Sequence, residues 1–206
     1  MTHRSSLRLT TTATAIVCAA ALLGFSAPAR AASSAAQVSV LSESFSTGHM
    51  PAGWKVIDKD DGNPGPQPDN QGLWRFDDPE HDGNQTGGSG SFASLDSRSI
   101  AAPLHASLNS PYLTKGVNTV ATVTFRTALV SAKALDYSRL QFSTDKGAVW
   151  TTVWSVSGTT SIAPGTLVTV VLPAAVTAAK HVTLRWDDRQ YKTSYWQVDD
   201  VSVTTS

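Results

Sequence analysis

Two neighbouring aspartates near the C-terminus, Asp199 and Asp200, are the residues whose types best suit binding chemistry. They interrupt an otherwise apolar stretch, YWQVDDVSV, and buried carboxylates are costly unless a partner compensates them. A hard cation held by about six to eight carboxylate and carbonyl oxygens would do so, which indicates calcium. Alternatively, one aspartate faces solvent and the other caps a turn or pairs with Arg185 or Arg189.

Glu43 is the third carboxylate that we predict for this site. It lies in SESFSTGHMPAGW (42–54), near the predicted start of the folded domain. If the chain forms a jelly roll, its first and last strands lie side by side, which brings Glu43 close to Asp199 and Asp200. A further acidic stretch, DKDDGN (58–63), resembles part of a calcium loop but lacks the glutamate at the required offset.

Signatures of catalysis are nearly absent from the sequence. GGSGS (87–91) fails the Gly-x-Ser-x-Gly pattern at its last position, and neither a His-Glu-x-x-His motif nor a phosphate-binding glycine loop occurs. A hydrolase with paired aspartates stays open, because pairing in space cannot be read from a sequence. We predict a protein without enzymatic activity. Its histidines after residue 31 are scattered without ligand spacing: His49, His81, His105 and His181.

The stretch STDKGAVW (143–150) has the spacing Ser-x-Asp-x-Gly-x-x-Trp of an Asp-box. Sialidase propellers repeat this motif in blades of about 40 residues, whereas this chain has one copy. The motif also has a local purpose, because Asp145 can accept hydrogen bonds from turn amides and Gly147 can adopt a positive φ. With Trp150 packed back over it, the stretch predicts a hairpin turn.

Two aromatic residues in or beside predicted loops, Trp74 and Tyr191, are candidates for stacking on a ligand sugar ring. Four other tryptophans lie in strand-like runs among apolar neighbours, and we expect them in the core: Trp54, Trp150, Trp186 and Trp196.

Residues 1–31 predict a signal peptide for secretion. A basic start precedes an apolar segment (13–25), and APARA ends at Ala31 in a small-x-small cleavage pattern. Cys18 is the only cysteine and lies inside this segment, so the mature chain is predicted to have no disulfide. Residues 32–37 are expected to form a flexible lead-in to one extracellular domain over 38–206.

From residue 38 onwards, short runs rich in Val, Thr and aromatic residues alternate with turn residues. Apolar and polar residues alternate within these runs, which predicts strands, and a helix is indicated only at 173–181. Nine to eleven short strands predict an all-β fold, an antiparallel β-sandwich of the jelly-roll type. The predicted strands are 38–45, 54–57, 73–76, 91–95, 120–129, 138–143, 166–172, 181–188 and 194–203.

Residues 58–90 differ from the rest, because eight of the sixteen acidic residues fall between Asp58 and Asp82. This segment predicts long loops that carry a binding site, or else a solvated acidic surface. Without the three arginines of the signal peptide, 13 basic residues stand against 16 acidic ones. No basic stretch is visible, which argues against nucleic acid as a partner. We predict a monomer that binds an extracellular glycan or protein and does not bind a membrane.

Five stretches occur in an order typical of one group of domains. Together they resemble the cleaved-adhesin and MAM-like jelly-roll domains of secreted bacterial proteins, including those called choice-of-anchor J domains. The resemblance covers about residues 38–204. Its stretches are ESFSTGHMPAGWKVIDKDDGN, FASLDS, LNSPYL, LQFSTDKGAVWTTV and YWQVDDVSV.

The resemblance implies a non-catalytic β-sandwich, often stabilised by calcium, that serves adhesion or binds proteins or glycans. At the matching positions it implies Glu43, Asp199 and Asp200 as calcium ligands, with Asp96 of LDS as a further one. The chain departs from the pattern after DKDDGN, where PGPQP replaces an early tryptophan. Two alternatives remain: a small glycan- or peptide-active hydrolase that uses aspartates of 58–82, and a purely structural surface protein.

Overall fold

Eleven strands and one short helix form the part of the chain that the computed structural model describes, residues 37–59, 73–100 and 102–206. The predicted signal peptide (1–31) and most of the predicted lead-in lie outside the described residues. No helix among the described residues is long and apolar enough to cross a membrane. The elements are β1 (Val38–Glu43), β2 (Lys55–Asp58), β3 (Ala93–Asp96), β4 (Leu104–Asn109), β5 (Leu113–Thr114), β6 (Ala121–Val130), β7 (Tyr137–Ser143), β8 (Thr151–Ser157), β9 (Ile162–Val171), α1 (Ala174–Ala178), β10 (His181–Gln190) and β11 (Tyr195–Thr205).

The strands form two antiparallel sheets that pack face to face. The first sheet has the order β1–β11–β6–β9, and β3 pairs with β11 on the same side as β1. The second sheet has the order β2–β4–β10–β7–β8, and β5 pairs with the start of β10. This arrangement confirms the predicted all-β antiparallel sandwich of the jelly-roll type.

Aromatic rings from both sheets fill the core between them. Trp186 of the second sheet has its ring centroid 5.7 Å from that of Trp54 and 5.9 Å from that of Phe125 on the first sheet. Such large rings dominate the apolar area that a core buries. The predicted core positions of Trp54, Trp186 and Trp196 are confirmed. Trp150, in contrast, is only half-buried and lines a surface cleft.

Strands β4, β5 and β8 are not among the strands that the sequence predicts. The residues of β4 alternate correctly, but Ala, Ser and His have weaker strand preferences than Val or Ile, and they obscure the pattern. Two other predictions are too long. The predicted strand 73–76 makes only one bridge, between Arg75 and Ser94, and the predicted helix 173–181 is reduced to α1.

Strand β11 contains a β-bulge at Asp199 and Asp200. Between the pairs that join Asp199 and Ser202 to β6, β11 has one more residue than its partner, and Asp200 has a φ of 47°. An extra residue shifts the alternation of side chains by one position. The apolar side chains that face the core are therefore Trp196 and Val198 before the bulge, and Val201 and Val203 after it.

Candidate ligand-binding face and candidate cation site

Three rows of side chains cross the outer face of the second sheet. Paired residues of antiparallel strands point to the same side of a sheet. Because Leu108 and Trp186 point into the core, the alternate positions of β4 and β10 point outwards. The rows are Lys55–Asn109–Arg185–Gln141–Thr152, Ile57–Ser107–Asp187–Arg139–Ser155 and His105–Arg189–Tyr137–Ser157.

Basic side chains dominate this outer face, which carries six Lys and Arg residues from the rows and from the segments beside them. The only carboxylate in the rows is Asp187. No basic stretch is visible in the sequence because these residues lie far apart along the chain. Only the sheet brings them together. They are Lys55, Lys59, Arg139, Lys146, Arg185 and Arg189.

Asp187 lies at the centre of an ionic network on the outer face. Lys59 forms an ion pair with it, and His105 Nε2 lies 3.4 Å from its Oδ1. The hydroxyl of Tyr137 lies 2.9 Å from the same His105 nitrogen. Burial opposes ionisation of Asp187, but the hydrogen bonds from His105 and Lys59 outweigh it and hold the pKa of this carboxyl below its usual value.

Three arginines of the outer face stack on aromatic rings. The guanidinium carbon of Arg139 lies 3.8 Å from the ring centroid of Tyr137, and that of Arg185 lies 4.1 Å from the ring centroid of Trp150. Arg189 covers Tyr191, and its Nη2 donates to the Tyr191 hydroxyl over 2.8 Å. Such cation–π contacts restrict where the guanidinium groups can point. Tyr191, predicted to contact a ligand, thus lies just beyond the last row of the face.

Two buried polar atoms on the outer face have no hydrogen-bond partner among the described residues. They are Oγ of Ser107, whose exposed fraction is 0%, and Oδ1 of Asn109, whose residue is 9% exposed. Nearly all buried polar groups in native proteins are hydrogen bonded, so an unsatisfied one needs an explanation. Both lie on β4 and face outwards, Asn109 between Lys55 and Arg185.

A cleft of ≈ 550 Å³ opens at the end of the outer face nearest the turn between β7 and β8. We call it the basic cleft. Four cationic side chains line it, and Asn109 lies among them. No Asp or Glu of the described residues is part of its wall. Its defining residues are Lys55, Lys59, Asn109, Lys146, Trp150 and Arg185.

The prediction that Trp74 stacks on a ligand is wrong. Trp74 is 3% exposed and belongs to the core, where its ring lies 5.4 Å from that of Trp196 in an edge-to-face arrangement. The loop residues beside Trp74 predict an exposed side chain. The bridge between Arg75 and Ser94 instead holds this segment against β3.

The bulge of β11 forms a second candidate site, which we call the bulge site: Glu43, Asn84, Thr86, Asp199 and Asp200. Asp199 is fully buried. Its Oδ2 accepts hydrogen bonds from Asn84 Nδ2 at 2.8 Å and Thr86 Oγ1 at 3.2 Å, and its Oδ1 accepts one from the Asp200 amide at 2.7 Å. Burial raises the pKa of Asp199 above its usual value, although these hydrogen bonds oppose the rise.

Both carboxylates of the bulge approach the same residue, Gly88. A Cβ atom at Gly88 would lie 2.3 Å from Asp199 Oδ2 and 3.1 Å from Asp200 Oδ2. Any side chain at this position would therefore enter the space that the two carboxylates share. Asp200 is exposed and also pairs with Arg126, whose Nε lies 3.2 Å from its Oδ2. The proposed pairing with Arg185 or Arg189 is not observed.

Glu43 is placed beside the bulge, as the predicted neighbourhood of the first and last strands requires. It pairs with Val201 in the register of β1 and β11, and its Oε1 accepts a hydrogen bond from the Phe45 amide at 2.8 Å. The carboxylates of Asp199 and Asp200 offer oxygen ligands, the type that calcium prefers, although Asn84 faces Asp199 with its Nδ2 rather than its oxygen. Among the described residues, no three acidic, His or Cys side chains converge as a metal-binding group, so a cation here would also need carbonyl ligands.

Asp96 does not belong to the bulge site. It pairs with Tyr195, four positions before Asp199, which is about 13 Å along a strand and far beyond the length of a metal–oxygen bond. Asp96 is instead bound by the Arg98 guanidinium, which also pairs with Asp82. The implied role of Asp96 as a ligand of the same calcium is therefore wrong.

Asp96 lies in an acidic cavity of ≈ 280 Å³ between the 78–82 loop and β3. Asp78, Glu80 and Asp82 line the same cavity. Burial raises the pKa of Asp96 to about 6; a hydrogen bond from the Arg98 amide opposes the rise, and the charges of Glu80 and Asp78 add to it.

The Asp-box forms the turn between β7 and β8, as predicted. Ser143 Oγ donates to Asp145 Oδ1 at 2.6 Å, and the same carboxylate oxygen accepts the Val149 amide at 3.0 Å. Gly147 has a φ of 92°, and its Cα hydrogen faces the Trp150 ring so closely that a Cβ there would lie 3.2 Å from Cζ2. The turn thus carries Trp150 to the mouth of the basic cleft.

No protein-family model and no curated protein matches the chain. Among solved structures, the K1 cleaved adhesin domain of Lys-gingipain from Porphyromonas gingivalis W83 is 22% identical, with 82% of this chain and 98% of that chain covered and a TM-score of 0.52. TmCBM61, solved with beta-1,4-galactotriose, is 11% identical over 78% and 93%, with a TM-score of 0.50. An apo cyclase from Fischerella sp. is 15% identical over 84% and 98%, with a TM-score of 0.51.

At 22% identity or less, these likenesses establish a common fold, while the site has to be argued from its own residues. The same sandwich underlies an adhesin domain, a carbohydrate-binding module and a cyclase. The predicted resemblance to cleaved-adhesin domains is thereby confirmed as a likeness of fold.

Proposed function

We propose that this protein is a secreted, non-catalytic β-sandwich that binds an extracellular glycan or protein on the outer face of its second sheet. The observation that carries the proposal is the pair of buried polar atoms, Ser107 Oγ and Asn109 Oδ1, that have no partner among the described residues. They lie on a face crossed by ordered cations and aromatic rings. A ligand hydroxyl or amide would satisfy them.

A purely structural role explains this face less well. Three further buried polar atoms without a partner among the described residues lie in the core: Trp74 Nε1, Trp186 Nε1 and Gln190 Oε1. What favours a ligand at Ser107 and Asn109 is therefore their position on the outer face, where a bound molecule can compensate an otherwise unfavourable unpaired group. Two structures of the same fold are named as an adhesin domain and as a carbohydrate-binding module, which supports a binding role for this sandwich.

Binding to panels of glycans and extracellular proteins tests the proposal. We expect at least one specific ligand, and we expect Arg139→Ala on the outer face to weaken its binding by about tenfold, the effect of one charge-assisted hydrogen bond. Lys180→Ala, which precedes β10 and lies away from the rows, serves as the matched control. A ligand that binds both variants like the original protein would place the binding surface elsewhere.

Calcium is proposed as a structural ion at the bulge site, held by Asp199 and Asp200 together with backbone carbonyls. Glu43 lies on the neighbouring strand β1 but does not converge with the two aspartates as a third ligand. What supports the ion is the convergence of two carboxylates on Gly88 and the raised pKa of Asp199. Bound there, the ion would neutralise the adjacent negative charges of the bulge.

Thermal unfolding with calcium and with chelator tests this ion. Ligand binding to the folded state stabilises by RT ln(1 + [L]/Kd), about 2.7 kcal/mol at a hundredfold excess over Kd. Asp200→Ala should abolish the calcium response, whereas Asp96→Ala should keep it. Equal midpoints in calcium and in chelator for the original protein would exclude the ion.

A second candidate function is hydrolysis in the acidic cavity, and the raised pKa of Asp96 favours it. A carboxyl with a pKa of about 6 can act as a general acid beside an ionised partner such as Glu80. Against it, Arg98 binds both oxygens of Asp96 and would have to move. Hydrolysis of glycan or peptide substrates that is lost in Asp96→Asn would establish this function.

A further inference from the structure

The chemistry of the basic cleft narrows the kind of ligand, and the following inference rests on the proposed binding function. We propose that the basic cleft binds an anionic polysaccharide, with uronate carboxylates on Lys55, Lys146 and Arg185 and a sugar hydroxyl on Asn109 Oδ1.

The basic cleft is positively charged. Its wall contains four cationic side chains and no carboxylate of the described residues. Only Lys59 has an acidic partner, Asp187. Within the part of the chain that the structure describes, Lys55, Lys146 and Arg185 form no ion pair. The charge of Asp187 acts on Arg185 without forming an ion pair with it. Three neighbouring positive charges outside any ion pair attract an anion and repel a cation.

Arg185, the central cation of the cleft, is already held in place. Arg185 Nε donates to Gln141 Oε1 at 2.8 Å, and the guanidinium lies against the Trp150 ring. Among the described residues, neither Nη1 nor Nη2 donates to a protein acceptor. Two parallel N–H groups of a fixed guanidinium match the two oxygens of a carboxylate.

The side-chain carbonyl of Asn109 lacks a hydrogen-bond donor among the described residues. Asn109 lies in one row with Lys55 and Arg185, and its Oδ1 is buried without a partner among the described residues. A ligand that displaced the side chains covering Oδ1 would satisfy it with an O–H or N–H group next to its negative charge. A uronate ring carries hydroxyl groups and a carboxylate together.

The surroundings favour a polysaccharide over a nucleic acid or an acidic peptide. Nucleic acids without base pairing bind on free aromatic faces. Of the two aromatic residues in the cleft, Trp150 is covered by Arg185 and approached by Gly147, and Tyr112 already stacks on His181. Peptides gain affinity from strand addition to free backbone groups. The cleft is lined by side chains of β2, β4 and β10, and the backbones of β4 and β10 pair on both sides. Only the outer edge of β2 is left for strand addition, and it lies at the rim of the cleft rather than among its cations.

The test measures binding of the full chain to polygalacturonate, to its methyl-esterified form and to neutral β-1,4-galactan. We expect binding to polygalacturonate that weakens with salt and is lost on esterification. Arg185→Gln and Lys146→Gln should each raise Kd by about tenfold or more. Lys146 is exposed on a turn, so its replacement cannot be dismissed as misfolding. Lys133→Gln, before β7 rather than after it, is the matched control and should change nothing.

Each other result overturns the proposal in a distinguishable way. Equal binding of galactan and polygalacturonate would refute the anionic ligand but keep glycan binding. Tighter binding of polyglutamate or of single-stranded DNA, sensitive to Arg185→Gln, would assign the cleft to an acidic peptide or to nucleic acid instead. If no anionic glycan binds while another ligand of the panels does, the inference fails and the proposed function stands. If nothing binds at all, both fail.

Discussion

Two strands of this protein carry the same dipeptide, Asp-Asp, but they differ in the directions in which the two side chains point. On β10, Asp187 points to the outer face and Asp188 into the core, as a regular strand requires. On β11, the bulge turns both Asp199 and Asp200 towards Gly88. We call these the β10 pair and the β11 pair.

The difference shows that the backbone decides what an Asp-Asp pair can do. In the β10 pair, one carboxylate is neutralised by Lys59 and contacted by His105, while the other contacts Ser138 and Gln190 in the core. They cannot share a ligand because they lie on opposite sides of the sheet. In the β11 pair the carboxylates share one space, which is the arrangement a cation needs.

The largest expected effect comes from deleting the buried member of the β11 pair. Asp199→Ala removes the acceptor of the Asp200 amide and one of two acceptors each for Asn84 Nδ2 and Thr86 Oγ1. We expect a loss of about 3 kcal/mol in the free energy of unfolding, measured by chemical denaturation in chelator. The matched control is Asp200→Ala, whose exposed pair with Arg126 should contribute less than about 1 kcal/mol. Equal losses in both variants would contradict the different roles of the two residues.

A side chain at Gly88 should disrupt the β11 pair without any change to the two aspartates themselves. Gly88→Ala places a Cβ 2.3 Å from Asp199 Oδ2, so the loop or the bulge must move, at a cost of about 2 kcal/mol. The variant should also lose any stabilisation by calcium. Ser89→Ala, the exposed neighbour, is the control and should stay within about 0.5 kcal/mol of the original protein. A fully stable Gly88→Ala with an intact calcium response would show that the carboxylates do not converge there.

The sequence predicts the β11 pair better than the β10 pair, for a physical reason. The order of stretches and the jelly-roll pattern place β1 beside β11, which brings Glu43 next to the bulge. The bulge itself leaves a trace, because the apolar alternation changes phase between Val198 and Val201. The register of one strand against its neighbours has no such trace. Neither the outer face nor the ionic network around Asp187 could therefore be derived from the sequence.

The same limit explains the remaining differences in the candidate sites. Trp74 is predicted on the surface because its neighbours are loop residues, yet a single bridge suffices to place it in the core. Asn109 ends a strand that the sequence does not predict, so nothing marked it as a binding residue. The alternation of Leu104, Ala106 and Leu108 could have indicated that strand and the outward position of Asn109.

The outer member of the β10 pair should stabilise the protein through its charge. Asp187→Asn removes the counterion of half-buried Lys59, and we expect a loss of about 1–2 kcal/mol at pH 7. Because the pKa of Asp187 is lowered in the folded state, its contribution is present above the usual carboxyl pKa of about 3.9 and is lost as the pH falls through the folded value. A double-mutant cycle with Lys59→Met measures the coupling. A coupling near zero would mean that the ion pair does not stabilise the fold.

The inner member of the β10 pair should have the opposite pH dependence, and the smallest effect. Burial raises the pKa of Asp188 well above its usual value; hydrogen bonds from Ser138 and Gln190 oppose the rise, and the charges of Asp187 and Asp136 add to it. The unfolded chain releases this proton near pH 4, whereas the folded protein keeps it. Stability from this group is therefore full below pH 4 and declines as the pH rises towards the folded value. Asp188→Asn has no proton to lose, so it should be more stable than the original protein at pH 7, by on the order of 1 kcal/mol, and equally stable at pH 4. Urea denaturation from pH 4 to pH 8 gives both curves. If Asp188→Asn is destabilised to the same extent at every pH, Asp188 acts in the core only through its shape and hydrogen bonds, and the two members of the β10 pair do not differ in charge.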